Sequence, residues 1–197
     1  SESNGTNSFE FFDDFSDGSL DLTLWKGDTN AFTECNGYLY AGITCNSSGQ
    51  NGYRLLSNEE WTGSYVMGAR VYIDYTNWGG FQAAGWHEST SNGLGVGFYD
   101  DNARYAGWSD GTYWAYYNPS YNDWVTITLF GPGASGYASV SYYNEDDNTY
   151  YNRSIYNGGL SGEEIALGEW QCDCWQNYTY RAWWDYIYVR SYESTTY

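Results

Sequence analysis

The sequence has 197 residues, 22% of them aromatic, and its 25 acidic residues against 7 basic ones give a formal net charge of −18. So acidic a chain is not expected to bind nucleic acid or anionic membranes, because binding to phosphate depends on lysine and arginine. A divalent cation, a neutral polymer or mere solubility is compatible with this charge. Apolar residues do not recur at helical spacing in any window of ten or more residues, and no apolar run approaches a membrane span. The composition therefore predicts a nearly pure β protein.

The strands are predicted from alternating apolar and polar residues between turn-forming segments. Tails at residues 1–8 and 193–197 are expected to flank one domain, residues 9–192, and Asn36-Gly37 predicts a hairpin turn. Short strands at spacings near ten residues indicate an antiparallel sandwich or barrel. The predicted strands are 9–15, 38–44, 53–57, 65–73, 81–86, 94–99, 104–108, 112–117, 124–130, 137–143, 148–155, 163–167 and 183–192.

The polar opening of the chain is typical of a mature terminus from which a signal peptide has been removed, so we expect a secreted or cell-surface protein. In that setting four cysteines indicate two disulfides. Sequons of the Asn-x-Ser/Thr type predict glycosylation at four positions. The cysteines are Cys35, Cys45, Cys172 and Cys174, and the sequon asparagines are Asn4, Asn46, Asn152 and Asn177.

The last predicted strand contains one acidic residue among apolar ones. Strict alternation places Trp183, Asp185, Ile187 and Val189 on one face, and the two aliphatic residues mark it as the core side. Asp185 is therefore expected to point inward, where an unpaired carboxylate costs several kcal/mol. Its partner could be an arginine, a set of backbone N–H groups or a metal ion, and a carboxylate with backbone carbonyls is a calcium-type ligand set. The alternative is that Asp185 only caps a turn at the frayed start of the strand.

Four segments in order along the chain carry a family resemblance. They are residues 11–21 with Trp25, residues 36–40, residues 124–129 and residues 184–192. With them the chain resembles the concanavalin A-like lectin/glucanase superfamily, especially the laminin-G-like modules of prokaryotic surface proteins. The resemblance implies an all-β, two-sheet antiparallel jelly-roll sandwich with adjacent terminal strands. It also implies a structural calcium ion held by the Asp185 side chain and by the carbonyl oxygens of Asp14 and Gly37.

The pairing of the cysteines is open between two arrangements. A bond between Cys172 and Cys174 would be strained, because residues two apart on an extended chain have diverging geometry. Bonds from Cys35 and Cys45 to that pair would tie an early hairpin to the segment before the last strand. The resemblance instead implies a bond between Cys35 and Cys45, which leaves Cys172 with Cys174.

A catalytic centre is not predicted from linear motifs. A retaining glucanase of this superfamily carries Glu-x-Asp-x-x-Glu or a close variant, whose spacing puts two carboxylates on one strand face, and this chain has none. Adjacent acids such as Glu59-Glu60 and Glu163-Glu164 are interpreted as solvated turn residues. We therefore expect a non-catalytic, self-associating structural subunit of a cell-surface or extracellular assembly such as a filament. A carbohydrate-binding module is the alternative, and a glycoside hydrolase is the least favoured function.

The carbohydrate-binding alternative depends on aromatic side chains. A flat ring face offers apolar area, and the polar tips of tyrosine and tryptophan add hydrogen bonds. The candidates for stacking on a glycan are Trp86, Trp108, Trp114 and Tyr116. Ordinary packing is the competing explanation for each of these rings.

Overall fold

A computed structural model describes eleven ranges of the chain: 9–45, 53–75, 80–89, 92–99, 102–107, 113–115, 124–131, 137–145, 148–156, 163–171 and 178–192. The predicted tails, residues 1–8 and 193–197, lie outside these ranges. Within them the chain forms β-strands and one short 3-10 helix, Thr29–Ala31. None of the helical structure in these ranges is long and apolar enough to cross a membrane.

The strands follow each other along the whole described chain, as the alternating sequence predicts. They are β1 (Phe11–Asp13), β2 (Trp25–Gly27), β3 (Phe32–Cys35), β4 (Tyr38–Cys45), β5 (Arg54–Trp61), β6 (Tyr65–Tyr75), β7 (Gly80–Ser89), β8 (Asn92–Tyr99), β9 (Asn102–Gly107), β10 (Tyr113–Ala115), β11 (Trp124–Gly131), β12 (Tyr137–Asn144), β13 (Thr149–Tyr156), β14 (Glu163–Gln171) and β15 (Tyr178–Ser191).

Two antiparallel sheets contain these strands. Sheet A has the order β13-β12-β11-β6-β15-β4-β3, with β1 also paired to β15, and sheet B has the order β10-β9-β8-β7-β14-β5-β2. Because β1 pairs with β15, the first and last strands are neighbours. The predicted all-β sandwich of two antiparallel sheets is confirmed.

The core lies between the two sheets and is built by alternation within strands. In β11 the side chains alternate between half-buried and buried, so Val125, Ile127 and Leu129 face sheet B. Each such aliphatic side chain contributes roughly 2 kcal/mol on burial. The largest fully buried side chains include Trp25, Trp86 and Trp184.

The hairpin between β3 and β4 has the turn that the sequence predicts. Cys35 pairs with Tyr38 across the ladder, and the two residues between them, Asn36 and Gly37, both have positive φ angles of 54° and 79°. Two central residues with positive φ define a type I′ turn, whose twist matches that of the flanking strands. The Asn-Gly dipeptide therefore fixes the register of the first hairpin.

The last strand departs from strict alternation. The ladder between β15 and β6 pairs Trp184 with Val71 and then Tyr186 with Arg70, so Asp185 is an inserted bulge residue. A bulge shifts the side-chain alternation by one residue. Trp184 is consequently fully buried, and the Asp185 side chain is 32% exposed on the outer face. The prediction that Asp185 points into the core was wrong, because strand periodicity does not reveal an inserted residue.

Candidate functional site

Two carboxylates and a histidine form one row across the outer face of sheet B. Glu164 on β14 pairs in register with Glu60 on β5 and, on its other side, with His87 on β7. Their neighbours Trp61 and Trp86 are buried in the core, so the row faces outward. Residues directly opposite each other in an antiparallel pair share a face and have Cβ atoms roughly 4.5–5.5 Å apart. Glu60 and Glu164 are therefore close neighbours.

A bulge in β5 brings Glu60 to this position. The ladder pairs Ala166 with Leu56 and Glu164 with Glu60, so three residues of β5 lie opposite one residue of β14. The buried hydroxyl of Ser57 holds the bulge: it accepts a hydrogen bond from the Ile165 N–H and donates one to the Glu59 carbonyl, both at 2.8 Å. Without the extra residues of the bulge, a different residue of β5 would face Glu164.

Basic groups surround Glu164 on the same face. The ammonium group of Lys26 on β2 forms a hydrogen-bonded ion pair with Glu164 Oε1. His87 Nδ1 lies 3.9 Å from Glu164 Oε2, and Arg54 Nη1 lies 3.1 Å from His87 Nε2. Arg54 has only donors, so Nε2 accepts and the His87 proton is assigned to Nδ1, toward Glu164. We call Lys26, Arg54, Glu60, His87 and Glu164 the sheet B site.

Burial keeps His87 neutral. Its side chain is 13% exposed, and burial, with the nearby Arg54 charge, lowers the pKa of His87, while Glu164 acts in the opposite direction. A neutral imidazole accepts a hydrogen bond from Arg54 at Nε2. Its Nδ1 lies 3.9 Å from Glu164 Oε2, which is too far for a hydrogen bond.

Small residues border this row on the sheet. Gly85 and Ala166, two residues from His87 and Glu164, are paired with each other. On β8, Gly93 pairs with His87, and Gly95 pairs with Gly85. Gly85 and Ala166 are themselves buried, so these two residues do not form open surface beside the row.

A second charged network lies on the outer face of sheet A. Arg70 makes a two-pronged contact with Glu145, with both N–O distances 2.7 Å, and its Nη1 lies 2.8 Å from Asp185 Oδ2. Its guanidinium carbon also lies 4.2 Å from the centre of the Trp124 ring. Arg70 thus supplies one of the three kinds of partner expected for Asp185.

The residues expected to bind calcium lie next to paired strands of sheet A. The pairing of β4 with β15 reaches Leu39 opposite Trp184, and the pairing of β1 begins with Asp13 opposite Ile187. Gly37 and Asp14 thus flank the bulge at Asp185. One carboxylate with two carbonyl oxygens is a chemically reasonable calcium ligand set, although Arg70 already binds one Asp185 oxygen. Among the described residues no group of three or more His, Cys, Asp or Glu side chains could hold a metal ion.

An acidic cluster lies next to β1. Glu34 is 7% exposed, and its Oε2 has no hydrogen-bond partner. Burial, a hydrogen bond with Asp17, and the charges of Asp13 and Asp17 raise the pKa of Glu34 to about 7, against the opposing hydrogen bond from the Gly18 backbone. Burial also raises the pKa of Asp13, which accepts hydrogen bonds from Trp25 Nε1 at 2.7 Å and from the Phe15 N–H at 2.9 Å. Glu34 is therefore partly protonated near neutral pH.

The predicted carbohydrate-stacking residues do not form a described surface. Trp86 is fully buried between the sheets, so its assignment to a glycan-facing site was wrong. Its position on a strand did not reveal which face it occupies. Trp114 lies on β10 opposite Tyr105, and Trp108 and Tyr116 lie outside the described residues.

The structure contradicts the disulfide implied by the resemblance. Cys35 is exposed and free, and it pairs in register with Tyr38 at the start of β4, whereas Cys45 is the last residue of that strand. At about 3.3 Å per residue, the two Cα atoms are roughly 23 Å apart, far beyond the roughly 7 Å limit for a disulfide. The prediction of a bond between Cys35 and Cys45 was wrong. Cys172 and Cys174 lie outside the described residues.

Glycosylation remains a sequence prediction. Asn152 lies on β13, opposite Ser141. Asn4, Asn46 and Asn177 lie outside the described residues.

Comparison with known proteins gives a likeness of fold. No family model and no curated protein matches the chain. Among solved structures, a glycoside hydrolase family 43 protein from Bacillus licheniformis has a TM-score of 0.68 at 14% identity, covering 92% of this chain and 39% of its own. A glycoside hydrolase family 16 protein from Mycobacterium smegmatis has a TM-score of 0.62 at 12% identity, and the match covers 92% of this chain and 100% of the family 16 chain. An endo-acting O-glycanase of the human gut microbiota has a TM-score of 0.64 at 11% identity, and the match covers 94% of this chain and 100% of the O-glycanase chain.

These neighbours establish the class of fold and correct the predicted function. The chain has the concanavalin A-like jelly-roll fold. It spans well under half of the family 43 chain. Because the neighbours are glycoside hydrolases, the predictions of a non-catalytic structural subunit and of no enzyme activity were wrong. The glucanase motif lies on a single strand, and this chain has none. Glu60 and Glu164, interpreted as turn residues, lie on two paired strands.

Proposed function

We propose that the protein is a glycoside hydrolase whose two catalytic carboxylates are Glu60 and Glu164. The observation that carries this proposal is their direct pairing across β5 and β14 on an outer sheet face. Retaining glycosidases use two carboxyl groups about 5–5.5 Å apart, which is similar to the Cβ separation of directly opposed residues. The glycoside hydrolases among the fold neighbours support the same reaction class.

The environment of each carboxylate assigns it a role. Glu164 is paired with the Lys26 ammonium group and is 16% exposed, which suits an oriented carboxylate nucleophile. Glu60 is exposed, which suits the acid and base that exchanges protons with the leaving group and with water. We assign His87 a positioning role, because it is paired with Glu164 in the sheet and contacts Arg54.

The reaction then has two steps. Glu60 donates its proton to the glycosidic oxygen while the Glu164 carboxylate attacks the anomeric carbon, which breaks the glycosidic bond and forms a glycosyl-enzyme ester. Glu60, now ionised, takes a proton from water as the water oxygen attacks the same carbon and releases Glu164. Two inversions leave the anomeric configuration retained.

The test is hydrolysis of a panel of soluble polysaccharides, followed by reducing-end release, with the wild type and the variants Glu164→Gln and Glu60→Gln. We expect at least a 1,000-fold loss of kcat in Glu164→Gln. In the alanine variants Glu164→Ala and Glu60→Ala, added azide should partly restore activity. Glu59→Gln is the matched control, because Glu59 is exposed on the same strand. Equal activity in all four proteins would refute the assignment, as would a folded wild type that hydrolyses no polymer.

We also propose that a structural calcium ion joins the chain ends. Asp185 would supply a carboxylate oxygen, and Asp14 and Gly37 their carbonyls. The adjacency of these residues along β1, β4 and β15 supports this proposal. An ion there would stabilise the junction of the terminal strands and would lie on sheet A, away from the sheet B site.

The extracellular location and the likeness to laminin-G-like modules of surface proteins remain proposals of the same kind. The four sequons support them. A polysaccharide is the partner that the proposed activity requires. Self-association, nucleic-acid binding and membrane insertion have no support from the sheet B site.

A further inference from the structure

The sheet B site concentrates rare basic groups. The chain has 7 lysines and arginines against 25 acids, and Lys26 and His87 are its only lysine and histidine. Lys26 and His87 lie beside Glu164, and Arg54 contacts His87, so the three residues come together from strands that the sequence separates widely. In so acidic a chain, this gathering indicates that the face is built for a negatively charged ligand.

Lys26 has capacity for a second partner. An ammonium group carries three donors, and its described contact is with a single Glu164 oxygen. The Lys26 side chain is 41% exposed, whereas Glu164 is 16% exposed. An anionic group of a bound sugar can therefore reach the ammonium group from solvent while the ion pair with Glu164 persists.

For a ligand bound at the sheet B site, the charges near it matter more than the net charge of the chain. The total charge of −18 repels a polyanion at long range, but salt screens exposed charges beyond roughly 8 Å at physiological ionic strength. Near Glu164, the charges of Lys26 and Arg54 partly offset those of Glu60, Glu163 and Glu164. A neutral glycan can accept hydrogen bonds from the two cations, but only an anionic glycan adds an ion pair with them.

We infer that the substrate is an anionic polysaccharide, and that Lys26 and Arg54 bind a carboxylate or sulfate on the sugar next to the cleaved bond. This inference rests on the proposed function. Hydrogen bonds between ionised partners are shorter and roughly twice as strong as those between neutral groups. The anion would thus determine which polymer is cleaved, and Glu60 and Glu164 would determine how.

The test uses matched polymers at about 0.15 M salt, which is close to physiological ionic strength. They are a polyuronate, the same polymer after reduction of its carboxyl groups to neutral alcohols, a sulfated galactan and its desulfated form. We expect kcat/KM of the wild type to be roughly 10- to 100-fold higher on one charged polymer than on its neutral counterpart. Preference within the polyuronate pair identifies the carboxylate, and preference within the galactan pair identifies the sulfate.

Variants separate recognition from catalysis. Lys26→Gln and Arg54→Gln should reduce the charged-to-neutral ratio of kcat/KM toward one, even if loss of the contact with Glu164 lowers kcat on both polymers. Arg190→Gln is the control, because Arg190 is exposed on sheet A. Preferential cleavage of the neutral polymers, or a ratio unchanged in both variants, overturns the inference and leaves the proposed hydrolase intact. Absence of hydrolysis on every polymer overturns both.

Discussion

The buried carboxyl group of Glu34 makes stability depend on pH in a direction that can be calculated. Its pKa is raised from 4.5 to about 7. Between these two values the folded protein binds a proton that the unfolded chain has released, so the free energy of unfolding falls as pH rises. The contribution of Glu34 to the free energy of unfolding is fully present below pH 4.5 and is lost as the pH rises through about 7.

The size of the effect follows from the shift. A pKa change of about 2.5 units at roughly 1.4 kcal/mol each gives an upper bound of about 3.5 kcal/mol. Local rearrangement on ionisation reduces this figure, so we expect about 1 to 3 kcal/mol. Glu34→Gln removes the ionisation and keeps the shape, so the variant should be more stable than the wild type at pH 8 and similar to it at pH 4.5.

The assay is urea unfolding at half-unit intervals from pH 4.5 to 8.5, with a chelator present so that no metal contributes. The difference between variant and wild type isolates Glu34 from other shifted groups, such as Asp13, whose pKa is also raised, and Glu145, whose pKa is lowered by its contact with Arg70. Glu59→Gln, an exposed position, should follow the wild type at all pH values. If the Glu34→Gln curve runs parallel to the wild type, the linkage argument fails.

Three further predictions concern sheet A and its edge. Replacing Arg70 by lysine should lower the free energy of unfolding by about 1–3 kcal/mol, because a lysine cannot make the two-pronged contact with Glu145 while also binding Asp185; a loss below 0.5 kcal/mol in urea melts would contradict this. If calcium binds, a chelator should lower the Tm of the wild type, and the variant Asp185→Ala should show no such change; an unchanged wild-type Tm removes the calcium proposal. Cys35 should react with iodoacetamide without reduction, since it is exposed and free; protection from labelling, seen by peptide mass analysis, would show that it is bonded.

The fold was predictable because most strands obey simple local rules. In β11 the apolar residues alternate without interruption, and the type I′ turn requires two residues that tolerate positive φ, for which Asn36 and Gly37 are suited. These signals lie within a few residues of each other. The sandwich class and most strands therefore follow from the sequence alone, whereas the short strands β2 and β3 were not predicted.

The positions of the charged residues were not predictable in the same way, because bulges decide them. One inserted residue at Asp185 moves Trp184 from the predicted outer face into the core. In β5, the extra residues held by Ser57 bring Glu60 opposite Glu164. Residue periodicity does not locate either insertion, because a break in the alternation does not show which residue is the inserted one.

The same reasoning explains why a motif search is a poor test for catalysis in this sandwich. A motif on one strand can find carboxylates only at positions i and i+2 or i+4, where they share a face. Two paired strands bring carboxylates equally close, but the sequence separates Glu60 from Glu164 by about a hundred residues and fixes their register through the bulge in β5. A two-carboxylate site can therefore arise on any pair of adjacent strands whose outer faces each carry one acid. Searching such a sheet for opposed acids with a nearby cation, as Lys26 lies near Glu164, is the more informative test.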